Sequence, residues 1–271
     1  MGDKMIPWQT LGKQKTPGGG DLVLLQRAQE FRITIDGREL MSSRQHGSEE
    51  DLAKLACAGL FEHKAPRVLV GGLGLGYTLR TALDLLPRGA EVTVAELVPA
   101  VIEWNRGPLA PLAASPLSDP RVTVYVGDVL TCMRKNEQYF DAILLDVDNG
   151  PSALVRKSNW ALYGTAGVQH AFKSLIPGGR YAVWSAYPDD SFGRRLALAG
   201  FAVQTHMTRA RGGSVQPGQD QVAEHRSPVS SAKPGPKRLT VKKGGARHTI
   251  FVGTVEIERP ERSYKKDVLK R

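Results

Sequence analysis

The fold is decided by residues 67–80, which read RVLVGGLGLGYTLR. The apolar run Val68-Leu69-Val70 is typical of a buried parallel strand, and the residues from Thr78 to Leu86 predict a helix. Gly72, Gly74 and Gly76 lie between them and let the backbone turn tightly and approach a nucleotide-like ligand. A glycine-rich turn is a weak signal by itself, so the neighbouring strands decide its interpretation.

Three further strands are predicted, and an acid lies at or just after the end of each. They are Glu91–Glu96, Arg121–Val126 before Gly127-Asp128, and Phe140–Leu145 before Asp146. Ligands bind outside the carboxyl ends of the strands in open α/β sheets, so the glycines and the acids predict one site. Glu96 is placed to accept the hydroxyls of an adenosine ribose, and Asp128 to accept the adenine amino group. Taken singly, each acid or glycine is equally typical of a helix N-cap or a turn.

This order of motifs resembles the class I fold that binds S-adenosylmethionine, and differs from a nicotinamide-binding domain in its last two elements. From about Asp21 to Val255 the chain resembles the spermidine synthase family, through its glycine loop, its Ser48-Glu49-Glu50 helix start and its loop over 146–151. The resemblance implies an α/β, Rossmann-like fold. Its mostly parallel seven-stranded sheet would carry helices on both faces and follow a small N-terminal β unit, which implies a homodimer.

The resemblance also implies a cofactor and the residues that bind it. The cofactor is S-adenosylmethionine, or alternatively its decarboxylated form. The implied binding residues are Gly72, Leu73, Gly74, Gly76, Glu96, Leu97, Gly127, Asp128, Val129 and Asp146.

The loop after the fourth strand is predicted to carry the catalytic groups. A nucleophile that attacks a sulfonium centre must lose a proton, and Asp146 is the best candidate for the general base, with Asp148 nearby. A loop-capping role is the alternative for Asp146. His46, Ser48 and Asn149 are the predicted substrate residues, although a loop histidine such as His46 is more often solvated.

Three departures from the family concern the amine half of the site. Leu75 replaces a glycine-loop acid that neutralises the aminopropyl ammonium, Asn149 replaces an acid that holds the acceptor diamine, and Ser48 replaces a tyrosine. An unpaired buried ammonium is costly. The sequence therefore favours methyl transfer from S-adenosylmethionine to an unidentified small-molecule or acidic acceptor.

Two alternatives stay open at this point. One is an aminopropyltransferase of the polyamine synthase type, which would use decarboxylated S-adenosylmethionine. The other belongs to a different class: a non-catalytic protein that binds an adenosyl ligand while its basic segment contacts nucleic acid or an acidic partner.

Composition shifts predict how the chain is divided. Residues 1–20 form a flexible leader ending in Pro17-Gly18-Gly19-Gly20, residues 21–47 the small β unit, residues 48–255 the Rossmann-like domain, and residues 256–271 a basic tail. Within the domain, residues 212–245 are poor in large apolar residues and predict a mobile insertion in an edge hairpin. Ser48 is predicted to cap a helix over 49–60, and Pro177-Gly178-Gly179 to end a helix over 164–176.

Charge is concentrated near the end of the chain. The net charge is +10, and residues 209–271 hold 15 Lys and Arg against 6 Asp and Glu. The cations over 233–247 predict either nucleic-acid contact or a solvated charged loop, and they lack the interleaved aromatics that stack on single strands.

The remaining sequence features point to a cytoplasmic protein without a metal. No apolar run reaches the length that a membrane span needs, and residues 1–7 lack the apolar core of a signal peptide. Cys57 and Cys132 lie in apolar helical contexts without metal-ligand spacing, which is typical of buried thiols.

Overall fold

The computed structural model describes residues 6–147, 150–151, 161–210, 216–217 and 246–257. The strands of the described part are β1 (Gln9–Lys15), β2 (Asp21–Arg27), β3 (Glu30–Ile35), β4 (Arg38–Ser42), β5 (Arg67–Gly71), β6 (Glu91–Glu96), β7 (Val122–Val126), β8 (Phe140–Leu145), β9 (Leu175–Ser185), β10 (Phe201–Arg209), β11 (Gln216–Pro217) and β12 (Arg247–Val255). The helices that bear on the fold are α1 (Gly47–Ala56), α2 (Tyr77–Leu85), α3 (Pro99–Arg106), α4 (Val129–Arg134), α5 (Thr165–Ser174) and α6 (Asp190–Leu198), with short 3₁₀ turns at Leu60–Glu62 and Pro116–Ser118.

The main sheet has the strand order β11-β10-β12-β9-β8-β5-β6-β7. Strands β5 to β9 pair in parallel, while β12 lies antiparallel between β9 and β10. The predicted seven-stranded, mostly parallel sheet is confirmed, and two-residue β11 extends its edge. The predicted hairpin is confirmed too, with Phe201 opposite Val255 and Arg209 opposite Arg247.

The core lies on both faces of this sheet because successive strand residues point to opposite sides. In β5, Val68 and Val70 pack in one buried cluster with residues of α1, α2 and α3. Leu69, between them, packs in the other cluster with residues of α4, α5 and α6. Burial on both faces explains the continuous apolar run that the sequence shows.

The N-terminal sheet corrects the prediction of a flexible leader over residues 1–20. Residues 9–15 form β1, which pairs antiparallel with β2, so the unit has four strands in the order β1-β2-β3-β4. Lys13 and Lys15 both pair with Asp21 across the turn. Gly12 lies against the largely buried indole of Trp104 in α3, which joins the small sheet to the main domain.

Two predicted element boundaries also differ from the structure. α1 runs from Gly47 to Ala56 rather than from 49 to 60, and His46 is its N-cap residue, so Ser48 lies inside the helix and does not cap it. Pro177-Gly178-Gly179 lies within β9, where the pairing with β8 shifts register. Gly178 has a positive φ of 83°, which accommodates that irregularity.

Most of the basic C-terminal part lies outside the described residues. This holds for the predicted insertion over 212–245, apart from strand β11, and for the tail beyond Ile257. Of the predicted basic cluster over 233–247, the structure describes Arg247, an exposed residue at the start of β12. In the part of the chain that is described, no helix has the length and apolar character needed to cross a membrane.

We expect Gly12→Ala to destabilise the protein by about 1–3 kcal/mol, because overpacking a rigid contact costs that much. A Cβ at position 12 would lie 2.4 Å from the indole nitrogen of Trp104. The free energy of unfolding in urea measures the effect, with Lys13→Ala on the solvated side as the control. Equal stability of the two variants would show that β1 does not pack on Trp104.

Candidate active site

The glycine loop begins where β5 ends, and its backbone approaches the end of β8 too closely for a side chain. Gly72 has a φ of +88°, and a Cβ there would lie 2.3 Å from the carbonyl oxygen of Asp146. The loop is fixed from α3, because the Asn105 side chain donates to the Gly74 carbonyl at 2.9 Å. The loop is therefore a rigid turn between the strand and α2.

Glu96 ties the end of β6 to this loop. One carboxylate oxygen accepts the backbone N–H of Leu73 at 3.0 Å, and the other accepts that of Val98 at 2.8 Å. The side chain is buried and lies next to the first of two pockets. Glu96 thus shapes the loop in addition to being placed where a ligand hydroxyl can reach it.

The first pocket runs along the carboxyl ends of β5, β6 and β7. It is lined by most of the predicted cofactor residues: Gly72, Gly74, Glu96, Leu97, Gly127, Asp128, Val129 and Asp146. Leu22, Ile33 and Met41 of the N-terminal sheet form an apolar wall that the sequence did not predict as part of the site. Glycine backbone, three acids and an apolar wall suit a nucleoside.

Asp128 occupies the helix N-cap position that the sequence offered as an alternative. Its Oδ1 accepts the backbone N–H of Leu130 at 2.9 Å, at the start of α4. The side chain is exposed toward the first pocket, so one carboxylate can both cap the helix and present its second oxygen to a ligand.

The second pocket lies on the other side of Gly74 and Asp146, which line both pockets. Leu73 and Gly76, predicted to bind cofactor, line the second pocket and not the first. Its charged or titratable lining residues are Glu39, Glu49, Tyr77, Asp146 and His248. Among the described residues that line it, none is Lys or Arg, so the pocket suits a cation.

Asp146 is placed at the junction by the end of β8. Its Oδ2 accepts the hydroxyl of Thr78 in α2 at 2.6 Å. Burial raises the pKa of the Asp146 carboxyl, and the hydrogen bond from Thr78 opposes that rise. Asp148 and Asn149, the other predicted residues of this loop, lie outside the described residues.

Glu49 is the functional candidate that the sequence did not single out. It lies in the first turn of α1, where a glutamate is already explained by the helix dipole. Burial and the nearby Asp146 carboxyl raise the pKa of Glu49 to about 8. Two carboxyl groups from distant parts of the chain therefore share one pocket, and a cation between them would relieve their repulsion.

The predicted substrate residues His46 and Ser48 do not line either pocket. The His46 ring stacks on Tyr77, with centroids 4.0 Å apart, and its Nδ1 lies 2.7 Å from Glu50. Ser48 is fully buried and its hydroxyl lies 2.8 Å from the Glu49 carboxylate. Both residues therefore support the pocket from behind its wall, which corrects their predicted place.

Two aromatic residues complete the second pocket. Trp184 and His248 both line it, and the two rings lie edge-on with centroids 4.7 Å apart. Tyr163 and Trp104, by contrast, are core residues. Among the described residues no group of three His, Cys, Asp or Glu side chains is arranged to hold a metal ion.

Comparisons of the sequence with known proteins identify a family and several relatives. The chain matches the family described as Spermine/spermidine synthase domain over residues 46–186. The polyamine aminopropyltransferase of Mycobacterium tuberculosis (strain ATCC 25618 / H37Rv) is 29% identical over 172 residues, which are 62% of this chain and 31% of that protein. The spermidine synthase of Dictyostelium discoideum is 34% identical over 124 residues, 44% of this chain and 40% of that protein. The aligned part is thus less than half of either relative.

Solved structures show the same fold. Spermidine synthase from Thermotoga maritima superposes with a TM-score of 0.65 over 92% of this chain and 74% of that one. The sequence identity is 15%, so the likeness concerns the fold alone.

We expect Glu96→Gln to weaken binding of any adenosyl ligand by about 1.5–3 kcal/mol, the range for hydrogen bonds to a charged group. The amide nitrogen of the glutamine would face one of the two backbone N–H groups that Glu96 now accepts. Isothermal titration with S-adenosylmethionine and with its decarboxylated form measures the loss. Glu91→Gln, at the exposed opposite end of β6, is the control. Wild-type affinity in Glu96→Gln would place the ribose elsewhere.

The empty protein should lose stability as the pH rises from about 5 to about 8. The pKa of Glu49 is about 8 in the folded protein against an ordinary value of 4.5, so the folded state binds more protons in that window and is destabilised as they leave. Glu49→Gln should flatten this slope in a series of melting temperatures. Glu39→Gln should not, because the Glu39 carboxylate is 41% exposed and pairs with Arg32. Identical slopes for all three proteins would contradict the interaction between the half-buried carboxyls of Glu49 and Asp146.

Proposed function

The chain belongs to the spermine/spermidine synthase domain family, and on that basis we propose that it transfers an aminopropyl group from a sulfonium nucleoside to an amine. The observation that carries this proposal is the position of Asp146 on the lining of both pockets. A transferase needs its base where donor and acceptor meet. The relative from Mycobacterium tuberculosis is named a polyamine aminopropyltransferase.

We assign the donor to the first pocket. Its nucleoside would lie against the glycine loop, with the ribose hydroxyls at Glu96 and the adenine edge at Asp128. An aminopropyl group can be transferred from sulfur only if the sulfonium carries that group, which makes decarboxylated S-adenosylmethionine the donor. The sulfonium arm then extends past Gly74 toward the second pocket, since Gly74 lines both.

The reaction balances with one base. The amine nitrogen attacks the carbon attached to sulfur, the new C–N bond forms as the C–S bond breaks, and the sulfur keeps the electron pair as a neutral thioether. The proton that the amine loses passes to Asp146. Burial raises the pKa of Asp146, which makes this carboxylate a stronger base than an exposed one. Thr78 holds the side chain by its hydroxyl.

Aminopropyl transfer replaces the methyl transfer that the sequence favoured. That preference depended on the loss of two anionic groups, at Leu75 and Asn149, and of a tyrosine at Ser48. The second pocket nevertheless carries the carboxyls of Glu49 and Asp146, so an ammonium has anionic partners there. The named activity of the relatives points the same way.

Three further expectations stay predictions. They are a homodimer, a cytoplasmic location and contact of the cations over 233–247 with nucleic acid or an acidic partner. Aminopropyl transfer to a small amine requires none of these three properties. The assay below also tests the alternative that the protein binds an adenosyl ligand without catalysing a reaction.

We expect the protein to convert decarboxylated S-adenosylmethionine and a linear diamine into a thioether nucleoside and an aminopropylated amine, detected by mass spectrometry. Asp146→Asn should lower turnover by about 10²–10⁴-fold, the usual contribution of a general base. Nucleoside affinity should be kept, because an asparagine oxygen can still accept the Thr78 hydroxyl. Asp148→Asn should do less. Methylated product from S-adenosylmethionine, or full activity of Asp146→Asn, would contradict the proposal.

A further inference from the structure

We propose that Glu49 is the specificity-determining residue of the second pocket, where it pairs with an ammonium group, and that Ser48 and His248 hold its carboxylate in place. The inference rests on the proposed function, since the ammonium belongs to the aminopropyl donor or to the acceptor amine. It adds that Glu49 selects ligands by their charge when they bind, before any group is transferred.

The start of α1 is fixed to the main sheet, which makes Glu49 a rigid part of the wall. The backbone N–H of Gly47 donates to the carbonyl of Ala210 at 2.9 Å, just after β10. One turn later the buried carboxylate of Asp51 accepts the hydroxyl of Thr208. The helix therefore cannot shift along the sheet without breaking both contacts.

A hydrogen-bonded chain fixes the Glu49 side chain itself. The Ser48 hydroxyl donates to Glu49 Oε2 at 2.8 Å and lies 2.9 Å from Nδ1 of His248. A hydroxyl has one proton, so His248 must carry a proton on Nδ1 and donate it to Ser48. Burial lowers the pKa of His248, which favours the neutral ring with that single proton.

The other acids near the second pocket already have cationic or ring partners. Glu39 pairs with Arg32 at 2.9 Å. Glu50 lies 2.7 Å from His46 and 3.6 Å from Lys54, on the side of α1 that does not line the pocket. Glu49 and Asp146 are left to face an incoming ligand. Asp146 is the base, so among the described residues that line the pocket Glu49 is the acid available to hold an ammonium group.

The glycine loop offers no charge of its own in this pocket. Leu75 lines it with a side chain that is 4% exposed. Of the described residues, Glu49 on α1 is therefore placed to pair with an ammonium that enters, because an unpaired charge in such a site is strongly disfavoured. The same electrostatics would reject a ligand arm that ends in a carboxylate.

The pH dependence follows from the groups around Glu49. Burial raises the pKa of Glu49 most, Asp146 at the end of β8 and Glu50 on α1 raise it further, and the Ser48 hydroxyl lowers it. Glu39 of β4, Tyr77 of α2 and His248 of β12 complete the surroundings. Ammonium affinity should rise between about pH 7 and pH 9, as Glu49 becomes charged.

Isothermal titration tests the inference without turnover. In Glu49→Gln, affinity for decarboxylated S-adenosylmethionine should fall about 10- to 100-fold and lose its pH dependence, while affinity for adenosine should not change. If the Kd of this donor is unchanged but the KM of a diamine rises by that factor, Glu49 binds the ammonium of the acceptor and not that of the donor. Glu62→Gln, at an exposed glutamate of the 3₁₀ turn after α1 and away from the pocket, is the control and should keep the wild-type affinities.

Two further variants distinguish a role of Ser48 in positioning Glu49 from a loss of folding. Ser48→Ala should move the midpoint of the affinity rise to higher pH, because the hydrogen bond that lowers the Glu49 pKa is gone. Glu49→Asp should keep a pH-dependent rise with weaker binding. If Glu49→Gln binds both ammonium ligands as the wild type does, the inference is wrong. If the wild type forms no aminopropylated product, the proposed function fails, and the contrast between the donor and adenosine still tests Glu49.

Discussion

The carboxylate of Glu96 is the constraint on which the first pocket depends. The chain leaves β5 and β6 at the same edge of the sheet, and the N–H groups of Leu73 and Val98 lie just beyond the two strands. Both donate to the buried Glu96 carboxylate, at 3.0 Å and 2.8 Å. A buried charge is tolerated when it is hydrogen-bonded, and a buried N–H needs an acceptor, so each satisfies the other. The glycine loop is thereby fixed before any ligand arrives.

Because the floor of the site is fixed in this way, the remaining walls come from elements far away in sequence. The N-terminal sheet supplies the apolar side of the first pocket, and α1 supplies the acidic side of the second. The contact between Gly12 and Trp104 joins the small sheet to α3. The small sheet is therefore part of the binding site and not an appendage to it.

The sequence predicted what local patterns encode. Apolar runs located β5, β6, β7 and β8, and the topology of parallel sheets brought their ends together. β1 was missed because QTLGKQK is mostly exposed and shows no alternation of large apolar residues. Glu49 was missed because a glutamate in the first turn of a helix is expected anyway. The contact between Ser48 and His248 spans 200 positions, which no local pattern reveals.

The sequence preference for methyl transfer shows why the partners of a charge have to be sought in the folded chain. Counting acids along the glycine loop suggested that Leu75 had removed the partner of an ammonium, yet electrostatic energy depends on distance in the folded chain. Glu49 reaches the same pocket from another helix and meets Asp146 there. Two carboxyls forced together destabilise the empty protein, and a cation between them removes that penalty. In the proposed role the pocket would select cations, because the repulsion between the two carboxyls is present before a ligand binds.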